Sequence, residues 1–219
     1  MKQYMIHCCV GVGGLFLTSV FAKMLGIPMT VKLSDTGNCH DMGRGAWRGS
    51  DGVVLVGDQW DLNYKPGQQL YYTHVMPDNF QIENPDIKIV FVSVQPEDYR
   101  MVAKLWVKKA WPDIWTQDEY NKWHSPNYPP YNKNNIRDSD LICQDLITDL
   151  LETNISPWMQ RNSLRTYDYQ IDFKTIMGLD RKQVDQEVAQ IVNKDSSDAI
   201  LQYVNEYQSL NHRLYFTAS

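Results

Sequence analysis

The chain has 219 residues with a formal net charge of −5; 43% of residues are hydrophobic and 21% charged. That balance supports a packed core and excludes a disordered chain. The acidic charge and the lack of any dense Lys/Arg block argue against a nucleic-acid surface, which needs clustered cations to displace counterions from phosphates.

Tyr4 to Val10 (YMIHCCV) is a short apolar run that ends at glycine, the pattern of a buried strand. It is too short to span a bilayer, and no cleavage pattern of a secretory signal follows it, so the reading is a cytoplasmic protein with no membrane partner. Cys8 and Cys9 are adjacent and point to opposite faces if the run is a strand; with Cys39 and Cys143 they form no disulfide or zinc spacing, which fits reduced thiols. Gly11-Val12-Gly13-Gly14 makes a tight loop, and Leu15 to Leu25 returns to helical spacing before Gly26 and Pro28 stop it.

Residues 34 to 52 are rich in glycine and polar residues and read as a long loop. Val53 to Val56 and Gln69 to Met76 are strand candidates, the second closed by Pro77. Ile87 to Val94 (IKIVFVSV) is the clearest strand, rich in β-branched and apolar residues, as expected of a central parallel strand covered on both faces. Pro96-Glu97-Asp98 opens a helix that runs to about Ala110, its acids suited to the helix dipole. Trp111 to Arg137 shifts to Trp, Tyr, Pro and Asn and reads as a surface excursion or lid; Trp106 and its aromatics serve either to stack on an acceptor ring or to pack the excursion. Ser139 to Glu152 reads as a helix, Tyr169 to Phe173 as a last short strand, and Arg181 to Val192 and Ser197 to Tyr207 as terminal helices. Strands separated by helices, without hairpin signals, predict a single α/β domain over residues 1–219: a three-layer α/β/α sandwich with a mostly parallel central sheet.

Two features carry chemistry. Unpaired amides at a helix start, with the positive end of its dipole, bind phosphate or sulfate, and glycines let the anion approach the backbone. Gly11, Val12, Gly13, Gly14 and Leu15 are therefore the candidate anion-binding residues, the alternative being a ligand-free turn. The segment is neither a Walker A loop, since no Gly-Lys-Ser/Thr follows, nor a full dinucleotide fingerprint, since Phe16 holds the third glycine position. His74, just before Pro77 at a strand end, emerges at the same sheet edge and is a candidate general base or a structural histidine. Asn38-Cys39-His40-Asp41 and His7-Cys8-Cys9 lack a second ligand cluster and read as a polar loop and a core strand, so no metal is expected.

CCVGVGGLFLTSVFAKMLG, YYTHVMP and IKIVFVSVQPEDYRMVAKLW, followed late by YQIDFKTIMGL, stand in an order that resembles the sulfotransferases over about two-thirds of the chain. The resemblance implies a P-loop NTPase-like α/β fold and 3′-phosphoadenosine 5′-phosphosulfate as donor. It further implies His74 as catalytic base and a small-molecule or glycan acceptor with a hydroxyl group. The chain departs from that pattern where the family has its loop lysine (Val12), its loop hydroxyls (Leu15, Phe16) and the arginine and serine of its 3′-phosphate segment (Val94, Val102). Tyr72 replaces the family's lysine two positions before the histidine. Arg44, Arg48, Lys65 and Arg100 are the cations available to substitute. A non-catalytic anion- or nucleotide-binding or interaction protein on the same fold is the alternative from another class. A divergent P-loop kinase is disfavoured by the missing lysine and Ser/Thr for magnesium.

Overall fold

The structure, a computed structural model, describes residues 2–9, 11–27, 53–55, 69–76, 78–110, 147–180 and 182–216, with 53–55, 106–110 and 211–216 described by backbone alone. The glycine-rich loop with Asn38–Asp41, Arg44, Arg48 and Lys65, and the aromatic excursion after Ala110, lie outside the described residues.

The described strands are β1 (Gln3–His7), β2 (Val53–Leu55), β3 (Leu70–Thr73), β4 (Ile87–Ser93) and β5 (Tyr169–Asp172). They form one sheet in the order β2-β3-β1-β4-β5, and every pair is parallel. The expected α/β class and parallel sheet are therefore observed. β1 is central, with Met5 level with Tyr71 on one side and Ile89 on the other. It carries apolar residues on both faces because both are covered: Tyr4, Ile6 and Cys8 face one layer, Met5 and His7 the other.

On the first face lies α1 (Gly14–Leu25), whose buried residues run nearly all round it, as a fully covered helix requires. Gly26, at φ 74°, turns the chain out of the helix; its N–H reaches Lys23 O and the next amide, Ile27 N–H, reaches Ala22 O at 2.8 Å. Around α1 pack α6 (Val184–Val192) and α7 (Asp198–Phe216), with the Phe16 ring stacked on Tyr207 at 3.6 Å between centroids.

The second face is closed by α2 (Phe80–Glu83) and α4 (Ser156–Ser163), while α3 (Tyr99–Ala110) follows β4. Phe91 stacks between Tyr167 (4.3 Å) and Trp158 (5.9 Å). The helix expected to end at Glu152 does not stop there: residues 147–150 are helical, Leu151–Ile155 form a π-helical turn, and α4 carries on. Pro157, which has no N–H to donate to the preceding turn, stands just after the π-helical turn, where the hydrogen-bond pattern changes.

The strand expected through Phe173 ends one residue earlier. Asp172 caps α5 (Phe173–Met177), accepting the Lys174 N–H at 2.8 Å on Oδ1 while Ser93 Oγ donates to Oδ2 at 3.4 Å. Replacement of Asp172 by alanine is expected to lower global stability by about 1 kcal/mol, the usual loss for an N-cap. Urea denaturation monitored by tryptophan fluorescence measures it; an unchanged midpoint would show that the cap is idle.

Candidate functional site

The glycine loop leaves β1 at its carboxyl end, between the ends of β3 and β4. Gly11 (φ 83°) and Gly13 (φ 78°) adopt left-handed backbone, a region that side chains with a Cβ rarely enter. Gly13 caps α1 without a side-chain hydrogen bond, and the first closed turn is Leu17 N–H to Gly13 O at 2.9 Å. The amides of Gly14, Leu15 and Phe16 precede that turn and have no intrahelical acceptor, and no acidic residue lies in the first turn to offset the positive dipole end.

The loop is closely packed from two sides. A Cβ on Gly14 would overlap Cys8 Sγ and approach Tyr72 Cε2 to 3.0 Å; one on Gly13 would stand 2.9 Å from Ile176 Cγ2 and from the Tyr207 hydroxyl. The short α5 turn thus lays Ile176 and Met177 against Gly13. Leu15 is half-buried. Val12, Phe16, Val94 and Val102 are buried core side chains and offer neither a cation nor a hydroxyl at this edge.

His74 stands one residue beyond β3, which ends at Thr73 rather than running to Met76. Thr73 causes the early end: its Oγ1 accepts the Val75 N–H at 3.0 Å and donates to Val75 O at 2.6 Å, folding the chain back on itself. The imidazole is half-buried, and both ring nitrogens are engaged. Nδ1 lies 2.7 Å from Cys8 O, a pure acceptor, so it carries the proton; Nε2 is then the acceptor of the Tyr72 hydroxyl at 2.9 Å. Trp158 Nε1–H donates to the His74 carbonyl at 2.6 Å. Burial lowers the His74 pKa from its ordinary value, against the opposing pull of the Cys8 carbonyl, so the ring is neutral at pH 7.

The structure therefore brings His74 to the edge that holds the glycine loop. Cys8 connects the two: its carbonyl receives His74, and its sulfur lies where a Gly14 side chain would go. Cys8 Sγ lies 3.8 Å from His74 Nδ1, but the arrangement disfavours a cysteine–histidine nucleophile. Burial pushes the Cys8 thiol well above its ordinary value, and the Cys8 carbonyl already takes the imidazole proton. Cys8 and Cys9 are both buried, and neither forms a disulfide among the described residues.

Tyr72 was legible only as a substitution for lysine, since sequence spacing says nothing of where its hydroxyl ends. The ion pair at the ends of β4 and β5 also escaped the sequence reading, which took Asp98 only as a helix-start acid. Lys174 Nζ pairs with the buried Asp98 at 2.8 Å, and carboxylates, Asp98 first, raise the lysine's pKa. Asp98 thus serves as a partner for that cation, and Lys174, lying near Glu97, Asp98 and Asp172, is a poor seat for an anion. Arg100 is exposed on α3. Among the described residues no group of three or more His, Cys, Asp or Glu side chains could hold a metal ion, and no helix is long and apolar enough to cross a membrane. Neither a protein-family model nor a curated protein matches the chain.

Proposed function

We propose that this chain is a P-loop-type α/β domain that binds an anionic nucleotide on the amides of Gly11 to Leu15 and transfers a sulfuryl group from a phosphosulfate donor to an acceptor hydroxyl. The observation that carries the reading is the uncapped start of α1, on left-handed glycines at the carboxyl edge of the central strand, beside a neutral imidazole. Ligands of open α/β sheets bind at this edge, where successive connections turn to opposite sides of the sheet. The loop amides and the dipole fit an anion; they leave the side-chain cations of the sulfotransferases unreplaced among the described residues near the loop.

In the transfer, an acceptor oxygen forms a bond to sulfur and the bond from sulfur to the donor's phosphate oxygen breaks, its electron pair leaving with the nucleotide. His74 Nε2 takes the acceptor proton once the Tyr72 hydroxyl yields its place. The Cys8 carbonyl keeps the opposite nitrogen protonated, which leaves the lone pair on Nε2.

A second reading, binding without transfer, is favoured by the core side chains at Val12, Phe16, Val94 and Val102 and by the hydroxyl already on Nε2. Calorimetry with adenosine 3′,5′-bisphosphate, and with ATP and magnesium in parallel, separates these. The bisphosphate is expected to bind and ATP with magnesium is not. His74→Asn retains a donor toward Cys8 O but offers no basic nitrogen, so it is expected to bind the bisphosphate and lose sulfuryl transfer by at least about 100-fold. Binding without any turnover by the wild type would establish the second reading, and binding of neither nucleotide would remove both.

A further inference from the structure

The parallel pairing of β1 and β3 contains a substitution at its last rung. Cys8 N–H donates to Thr73 O at 3.2 Å, which continues the ladder one step past His7. In a parallel pair the next bond would run from the Val75 amide to the Cys8 carbonyl. That amide is diverted to Thr73 Oγ1, and the Cys8 carbonyl receives His74 Nδ1–H instead. A side chain has taken the place of a backbone donor at the point where the glycine loop departs.

The ring that does this is itself held. The Cys8 carbonyl holds the proton on Nδ1, so Nε2 accepts the Tyr72 hydroxyl, and the Tyr72 ring stands against Gly14. Trp158 fixes the His74 backbone from the other layer through its bond to the His74 carbonyl. One side chain thus links three structures: the end of β1, the end of β3 and the start of α1.

We infer that His74 is a positioning residue for the glycine loop: its Nδ1–H completes the β1–β3 ladder at Cys8 and, with Tyr72, sets the backbone from which Gly11 to Leu15 present their amides. The inference rests on the anion-binding reading only for its consequence on affinity. It is separate from the proton-accepting role of Nε2, and the two are resolved by which nitrogen a replacement side chain imitates. Asparagine places an amide N–H near the Nδ1 position; glutamine places one near Nε2.

Amide exchange followed by mass spectrometry across residues 8–17 tests the role without any ligand. His74→Ala is expected to speed exchange there at least about tenfold, and His74→Asn to stay within about threefold of the wild type. Should the alanine variant fail to fold, His74→Gln takes its place, with the same expected loss of protection. In calorimetry with adenosine 3′,5′-bisphosphate, affinity is expected to fall at least about tenfold for Ala or Gln and to recover in Asn. Unchanged exchange in His74→Ala would overturn the inference. So would equal loosening in the Asn and Gln variants, which would mean that ring packing, not the Nδ1 donor, holds the loop. A wild type that binds no bisphosphate while the exchange pattern holds would remove the proposed function and leave the positioning role standing.

Discussion

Gly14→Ala is expected to destabilise the protein by about 3 kcal/mol or more, lowering the thermal midpoint by roughly 10 °C. The added methyl would overlap Cys8 Sγ and stand 3.0 Å from the Tyr72 ring and 3.2 Å from Cys8 Cβ. Neither neighbour can step aside: Cys8 is fully buried and both its backbone groups are tied to β3 and His74, while the Tyr72 hydroxyl is bonded to that same imidazole. Strain at Gly14 therefore spreads into the histidine linkage. Gly26→Ala is the control. Its added methyl meets nothing within 4 Å, so its only penalty is left-handed backbone at φ 74°, about 1 kcal/mol. Differential scanning calorimetry of the two variants is decisive, and a Gly14→Ala midpoint no lower than that of Gly26→Ala would refute the close approach. Cys8→Ala in the Gly14→Ala background should recover part of the loss, because the sulfur is the nearest obstacle.

The second large effect is acid sensitivity centred on His7. This side chain is fully buried on the second face of the sheet, ringed by Phe91, Trp158 and Tyr167, and neither nitrogen makes a hydrogen bond among the described residues. Burial depresses its pKa from 6.5 to about 3, with smaller contributions in the same direction from Arg165 and His74. Below pH 6.5 the unfolded chain takes up a proton that the folded chain refuses until about pH 3. The unfolded state thus binds more protons throughout that window, and stability falls as the pH drops through it. Across the whole window the loss approaches about 5 kcal/mol. Between pH 7.5 and 5, before most carboxylates titrate, it is about 2 kcal/mol. His7→Phe keeps a flat ring against the aromatic neighbours and abolishes the titration. Urea midpoints at the two pH values, each referred to the same variant at pH 7.5, should show the wild type losing about 2 kcal/mol more than His7→Phe. Parallel losses would show that the ring is protonated or hydrated in the folded state. At pH 7.5 the substitution should be close to neutral, since it removes a buried polar group without a partner.

Much of the scaffold was written in local pattern. The largely apolar, β-branched-rich run of Ile87 to Val94 became the seven-residue strand β4, and the glycine-bounded helix appeared as Gly14–Leu25, closed by Gly26 as read. The errors arose where a distant or side-chain interaction decides the backbone. Thr73 shortens β3 by taking the Val75 amide, a choice invisible in a run of strand formers. Asp172 turns the tail of β5 into a helix cap, although Tyr169 to Phe173 alternates as a strand should. The short α2 helix was missed because its four residues carry no helical period.

The candidate site was legible to the same degree. The glycine loop and His74 were chosen by residue type, and they do meet at one sheet edge. How they meet could not be read, because the link runs through the Cys8 carbonyl, which sets the tautomer, and the Tyr72 hydroxyl on the other nitrogen. Nor could the cover over Gly13, which comes from Ile176, Met177 and Tyr207, more than 160 positions along the chain.

The central place of β1 bears on how the molecule assembles. Its first hydrogen-bonded neighbours are Leu70–Thr73 and Ile87–Ser93, and the Tyr4 hydroxyl finds its acceptor only at Ile191 O, 3.3 Å away. During synthesis β1 therefore emerges before any of the segments that enclose it. Its enclosure waits on partners as far along the chain as Ile191, and pairings of such sequence separation slow folding.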